Sequence, residues 1–235
     1  MSAKRQIMLD TETTGLEWRQ GDRVIEIGCV EMVSRKPTGR HFHRYLNPGR
    51  AIAAGAQAVH GLTDEFLADK PKFADVVDEL LEFVRDAEVI IHNAPFDVGF
   101  LDNEMALLER SPFREACANI VDTLKMAREL RPGKKNSLDA LCGEFGVDNS
   151  GRQLHGALLD AELLAEVYLA MTRGQESLMM DLEMDAGEVA ALAAGERPPI
   201  RILAASAAEL AEHERVLAEI DKASGGKTLW RTLAA

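Results

Sequence analysis

The sequence predicts an α/β domain, a mixed sheet flanked by helices, followed by a linker and a short helical appendage. Three observations carry this reading. β-like runs at residues 7–12, 24–33 and 42–46 follow one another closely, as in a meander of adjacent strands. Short apolar runs at 89–91 and 120–122 then alternate with segments of helical period. After Thr172 that periodicity lapses.

The elements follow in order. Ile7-Met8-Leu9 reads as a buried strand ended by a turn at Thr14-Gly15. Gly21-Asp22 separates the first two strands, and Lys36-Pro37-Thr38-Gly39 reads as the turn before the third. His60-Gly61-Leu62-Thr63 reads as a loop in which Thr63 caps a short helix. Pro71 breaks the chain ahead of a helix whose apolar stripe is Phe73, Val76, Val77, Leu80, Leu81 and Val84. The strand at 89–91 ends at His92-Asn93. A helix starts near Ala94-Pro95, because proline suits a first turn, and Phe96, Phe100, Leu101, Met105 and Leu108 form its stripe. The strand at 120–122 leads into helices at 123–130 and 137–145, and a last helix covers 157–171.

Residues 173–205 hold Gly174, Gly187, Gly195 and Pro198-Pro199 among scattered acids and are expected to form a flexible linker. Ser206-Ala-Ala-Glu209 is a capping box opening a helix with Leu210, Val216, Leu217 and Ile220 on one side. Ser224-Gly-Gly ends it, leaving Leu229-Trp230-Arg231 as a tail. Such a segment is too small for a core of its own, so docking onto another protein is expected. The expected organisation is a domain at 1–172, a linker at 173–205 and a docking segment at 206–235.

Composition narrows the function. Hydrophobic content of 46% and charged content of 28% describe an ordinary soluble globular protein. No run approaches the roughly 18 apolar residues of a membrane span. The opening Met1-Ser-Ala-Lys-Arg-Gln is expected to leave no room for a signal peptide. Cys29, Cys117 and Cys142 are scattered and odd in number, which suggests reduced thiols in a cytoplasmic protein. A net charge of −12 argues against tight binding of duplex nucleic acid through a general basic surface. Action on a nucleic-acid end stays open, with metal ions supplying local positive charge and a partner supplying affinity.

Chemistry concentrates at element ends. Side chains alternate along a strand, so Asp10 and Glu12 project from one face. Adjacent carboxylates repel and resist desolvation, and a hard divalent cation with oxygen ligands relieves both costs. Taken alone, the pair also reads as solvated acids at a strand end. Asp97 sits in the first turn of a helix, where the dipole favours an acid whatever its role. His155 precedes the last helix and Asp160 lies within its first turn or so.

Together these residues resemble the DEDD-type 3′→5′ exonucleases, in the branch with a histidine five residues before the last aspartate. Asp10-Thr-Glu-Thr-Thr-Gly15, His92-Asn-Ala-Pro-Phe-Asp97 and His155-Gly-Ala-Leu-Leu-Asp160 match the three motifs in order, over nearly all of residues 5–172. The resemblance implies a ribonuclease-H-like sheet and hydrolysis assisted by two divalent cations, Mg²⁺ or Mn²⁺. It implies that Asp10 bridges both ions. Glu12 and Asp160 complete the ion that holds the attacking water, Asp97 holds the second, and His155 is the general base. Thr11, Thr13, His60 and Asn93 would contact the substrate, with Thr14 beside them. For His60 and His92 a structural hydrogen bond reads equally well, and Gly156 would lend the His155 loop freedom. Arg131, Lys134 and Lys135 form a basic cluster for which solvation is the default, and Asp122, outside the motifs, reads as structural.

A narrower resemblance is to the proofreading subunits of bacterial DNA polymerase III. It rests on Val59-His-Gly-Leu-Thr-Asp-Glu-Phe-Leu67, on Asn136-Ser-Leu-Asp-Ala-Leu-Cys142, and on the segment from Ser206 to Arg231 ending Gly-Gly-x-x-Leu-Trp-Arg. The implied function is removal of mismatched 3′-terminal nucleotides from DNA as nucleoside 5′-monophosphates. The implied partners are DNA 3′ ends and the polymerase (alpha) subunit, bound through Leu229 and Trp230, with room for a small third core subunit. Gln175 and Leu178, in Gln175-Glu-Ser-Leu-Met-Met180, loosely resemble a sliding-clamp peptide but end in Met where an aromatic is common. Two alternatives fit less well. A stand-alone RNA exonuclease leaves residues 173–235 without a purpose, and a non-catalytic scaffold does not account for an intact set of five site residues.

Overall fold

The computed structural model describes residues 4–151, 154–173 and 205–225. The chain divides into two compact units, Met1–Asp181 and Leu182–Ala235. Gln175, Leu178, Leu229, Trp230 and nearly all of the expected 173–205 linker lie outside the described residues.

The first unit is built on five strands: β1 (Arg5–Thr13), β2 (Val24–Val33), β3 (Lys36–Tyr45), β4 (Glu88–Ile91) and β5 (Asn119–Asp122). Their order across the sheet is β3-β2-β1-β4-β5. The first three pair antiparallel, as a meander must, while β1, β4 and β5 run parallel, with helices making the crossovers. Helices α1 (Ala54–His60), α2 (Asp64–Leu67), α3 (Phe73–Val84), α4 (Ala94–Leu107), α5 (Thr123–Leu130), α6 (Leu138–Phe145) and α7 (Ala157–Met171) complete the unit.

β1 is central and buried on both faces, and its side-chain alternation assigns residues to two cores. Ile7 and Leu9 join Val77, Leu80, Phe100 and Leu101 of α3 and α4. Met8 joins Leu141, Leu164 and Val167 of α6 and α7. The expected cap at Thr63 is present, its Oγ1 accepting from the Phe66 N–H at 3.2 Å, and Ser137 Oγ caps α6 by accepting from the Ala140 N–H at 3.3 Å. Among the described residues no helix is long and apolar enough to cross a membrane.

Two local expectations need correction. Residues 36–39 are not a turn; they open β3, and the turn is Ser34-Arg35, with φ of 49° and 62°. Two successive positive φ values suit a two-residue hairpin turn, and β3 tolerates Pro37 because it is an edge strand. His60 does not begin a loop either; it ends α1, which Gly61 caps at φ 73°. The segment Ala54-Gly-Ala-Gln-Ala-Val-His60 holds no large apolar residue except Val59, so periodicity could not reveal it.

In the second unit, α8 (Ala207–Ser224) carries the expected capping box, with the Ser206 N–H donating to Glu209 Oε2 at 2.8 Å. Gly225 ends it in the left-handed region at φ 65°. Leu210, Val216 and Ile220 are exposed along this helix.

Candidate active site

The register of β1 distributes the site. Asp10 and Glu12 share the face of Met8 and therefore look toward the α7 side, where Asp160 lies in the first turn. Thr11, on the opposite face with Ile7 and Leu9, looks toward α4, and its hydroxyl donates to Asp97 Oδ1 at 2.7 Å. Carboxylates from both sides of the sheet thus meet beyond the end of one strand. A cleft of about 780 Å³ contains Asp10, Glu12, Asp97, His155 and Asp160 together, so the five expected residues converge.

Gly28 makes the approach of α7 possible. It pairs with Asp10 across the sheet, and a Cβ there would lie 2.2 Å from the Ala157 carbonyl carbon and from the Leu158 nitrogen. No larger residue lets the first turn of α7 press this close to Asp10. The sequence reading overlooked this position, although a glycine inside an apolar strand signals close backbone approach.

Asp97 is 3% exposed. Burial pushes its carboxyl up to about 7, a rise that the Thr11 hydrogen bond and backbone N–H groups only partly offset. Just before α4, Asn93 lines the cleft with φ at 71°, a left-handed conformation that asparagine tolerates better than most residues. Thr11 and Asn93 therefore each have a structural duty beside any substrate contact.

His155 places Nδ1 3.3 Å from Asp160 Oδ2, and its side chain is 43% exposed. Glu12, His155 and Asp160 each present a ligand atom within 4.8 Å of one another. Carboxylate oxygens at this spacing suit a hard divalent cation, and the carboxyl of Asp97, destabilised in its charged form by burial, has the same need. The donor set fits the metal that the sequence motifs imply. Gly156 adopts φ −155°, accessible to any residue, so backbone angle does not require glycine there.

A second cavity of about 530 Å³ adjoins the first, lined by Thr11, Glu12, Thr13, Leu16, Ala56, Val59, His60 and Phe96 among others. His60 is buried; its Nδ1 accepts from the Leu62 N–H at 3.0 Å, while Nε2 is buried and makes no hydrogen bond among the described residues. Burial lowers the pKa of His60, keeping the ring neutral. Thr13 donates to the Gly15 carbonyl at 2.6 Å, and Thr14, fully buried, bonds Asp22 at 3.0 Å. Thr14 is thereby turned away from the nucleotide contact expected beside Thr13.

The remaining candidates resolve individually. His92 Nδ1 lies 3.0 Å from Thr123 Oγ1, a structural bond, though the ring also lines the cleft. Asp122 caps α5, accepting from the Leu124 N–H at 2.9 Å. Arg131 is not simply solvated: its side chain is only 12% exposed and pairs with Glu144 at 2.7 Å. Lys134 lines the cleft with Arg128.

Residues 7–168 match the family model described as exonuclease, of the RNase T type. The DNA polymerase III subunit epsilon of Salmonella typhimurium is 50% identical over 237 residues, 97% of this chain and 97% of its own length. Exonuclease X, solved in complex with 5′-overhanging duplex DNA, superposes with TM-score 0.54 at 28% identity, covering 72% of this chain and 92% of its own. The nuclease domain of 3′hExo, a DEDDh family member bound to rAMP, superposes with TM-score 0.64 at 15% identity, covering 73% and 93%. At that identity the second likeness speaks to the fold alone.

Proposed function

This chain belongs to the exonuclease family and, within it, to the DNA polymerase III epsilon subunits, and from that membership we propose how its residues act. It is a 3′→5′ exonuclease that proofreads for DNA polymerase III, and its family depends on divalent metal ions. The observation that carries the site reading is the convergence of Glu12, His155 and Asp160 within 4.8 Å, in the cleft that Asp10 and Asp97 also line.

Two ions are proposed, Mg²⁺ or Mn²⁺, which Asp10, Glu12, Asp97 and Asp160 would hold. Bound there, the metals supply a lowered pKa for the attacking water and neutralise charge developing on the phosphate. His155 turns Nδ1 toward Asp160, which leaves Nε2 to take the proton from that water. Histidine is the side chain most often used to move a proton in this way. The second cavity receives the terminal nucleoside. Phe96, Ala56 and Val59 offer apolar contact to a base, and the buried His60 Nε2 gains a partner there. Thr11 and Asn93 shape this end by holding Asp97 and by turning the chain into α4. A mispaired end frays more readily into single strand, which gives selectivity without reading the base.

The polymerase supplies the DNA affinity that a charge of −12 does not. The segment 206–235 is proposed to dock on its alpha subunit through the exposed side of α8 together with Leu229 and Trp230. Gln175 and Leu178 remain a proposed clamp contact, and the cytoplasm the proposed location.

The test is hydrolysis of a 3′-mismatched DNA primer with Mg²⁺ by wild type and by Asp10→Ala/Glu12→Ala. The expected loss is about 1,000-fold or more, the several kcal/mol that metal-held charge provides. Wild-type rates in the variant would remove the site assignment, and strong preference for an RNA substrate would remove the DNA assignment. Deleting 206–235 is expected to abolish capture by the polymerase subunit while sparing hydrolysis of single strands. Retained capture would overturn the docking proposal.

A further inference from the structure

The loop bearing His155 is fastened to the end of α1 at two points. The His155 backbone N–H donates to the Val59 carbonyl at 3.1 Å. One residue earlier, Leu154 is seated on Gly61: a Cβ at Gly61 would come 2.6 Å from Leu154 Cδ1 and 3.7 Å from its Cγ. Gly61 already needs to be glycine for its φ of 73° as the cap of α1, and the missing Cβ also opens the seat. Leu154 is 52% exposed, so it is not a core residue on which folding depends.

Val59 connects this fastening to the nucleoside cavity. Its side chain lines that cavity beside Ala56 and His60, while its carbonyl holds the His155 backbone. The element that would meet the terminal nucleoside therefore also carries the loop of the proposed base. His155 keeps 43% of its side chain exposed, and an exposed ring on a loop needs backbone anchoring to hold one position.

We propose that Leu154 is a positioning residue: seated on Gly61, and with the Val59 carbonyl, it latches the His155 loop to α1 and holds the ring where it takes the water proton. The latch rests on the reading of His155 as base. Because the bond to Val59 is a backbone bond, Leu154 is the side chain through which the latch is open to mutation. Its loss leaves the nucleoside cavity, whose lining does not include Leu154, as it was.

The experiment is steady-state hydrolysis of single-stranded DNA with Mg²⁺ by the full chain. Leu154→Ala is expected to lower kcat about tenfold, since an ångström of misplacement costs up to about 100-fold, with KM within about twofold of wild type. Leu154→Met refills the seat and is expected to recover most of the rate, and Leu154→Val to fall between. In a His155→Ala background, Leu154→Ala is expected to add nothing, because the ring it positions is gone. A raised KM at unchanged kcat would make Leu154 a substrate contact and overturn the latch. A full additional loss in the His155→Ala background, or unchanged kinetics, would overturn it equally. If Leu154→Ala melts below the assay temperature, the Leu154→Val and Leu154→Met pair decides by the same criteria. Failure of wild type to degrade DNA would instead fail the exonuclease reading beneath it.

Discussion

Glu31 and Asp97 are both 3% exposed, at opposite ends of β1, and the protein treats them differently. Glu31 lies on β2 opposite Ile7. Burial alone would raise its pKa, but Arg5 at 2.6 Å, Thr38 at 2.8 Å and Arg40 at 3.0 Å outweigh that and bring it below the usual glutamate value. Asp97, at the far end, receives a hydroxyl from Thr11, and burial pushes it up to about 7. The same sheet thus uses two solutions to one desolvation problem. Where an acid serves the fold, the chain builds a cation beside it. Where an acid lies in the proposed site, the charge stays costly, and a cation bound as proposed would relieve it.

The comparison breaks first at Asp97. Asp97→Asn keeps the shape and can still accept from Thr11, so the variant is expected to fold. Its exonuclease rate is expected to fall about 1,000-fold, the scale of metal-held charge stabilisation. Its melting temperature in metal-free buffer at pH 8 is expected to equal or exceed that of wild type. A clear drop in that temperature would mean that the Asp97 carboxylate stabilises the apo fold. Glu31→Gln should do the reverse. Loss of a charged acceptor for two guanidinium groups is expected to cost about 1–3 kcal/mol in urea unfolding. The rate of the folded enzyme should stay near wild type, and a large loss of rate with normal stability would end the division of labour.

Stability against pH sharpens the contrast, with the smallest effects. The folded pKa of Glu31 is depressed, so its contribution is present above its ordinary 4.5 and lost as pH falls through the lower folded value. The folded pKa of Asp97 is raised from 3.8 to about 7, so its charge costs stability above about 7 and the cost is relieved as pH falls from there toward 3.8. In metal-free urea titrations from pH 4 to 8, Asp97→Asn should remove a slope that runs from the acid end up to about pH 7, and Glu31→Gln a slope of opposite sign confined to the acid end. Equal changes from both variants would contradict the opposite signs.

Much of the fold was legible because its signals are local. The apolar runs at 7–9, 89–91 and 120–121, the stripe of Phe73 to Val84, and caps such as Thr63 and Ser206 each act within a few residues. α1 was missed because alanine and glycine carry no periodic apolar signal. The Ser34-Arg35 turn was missed because neither residue advertises positive φ, whereas Pro37 and Gly39 advertise a turn they do not make.

What the sequence determined by itself was the inventory and its facing: three ordered motifs, and, through strand alternation, Asp10 and Glu12 on one face. Tertiary structure decided which groups meet. Asp97 and Asp160 come from helices on opposite sides of β1, and they reach one cleft because β1 is central and Gly28 admits the first turn of α7. The raised pKa of Asp97, the buried Nε2 of His60 and the seat of Leu154 on Gly61 arise from neighbours distant in the chain. Alternation along a strand is a property of adjacent residues, but burial and approach depend on which elements pack together, and no local pattern contains that.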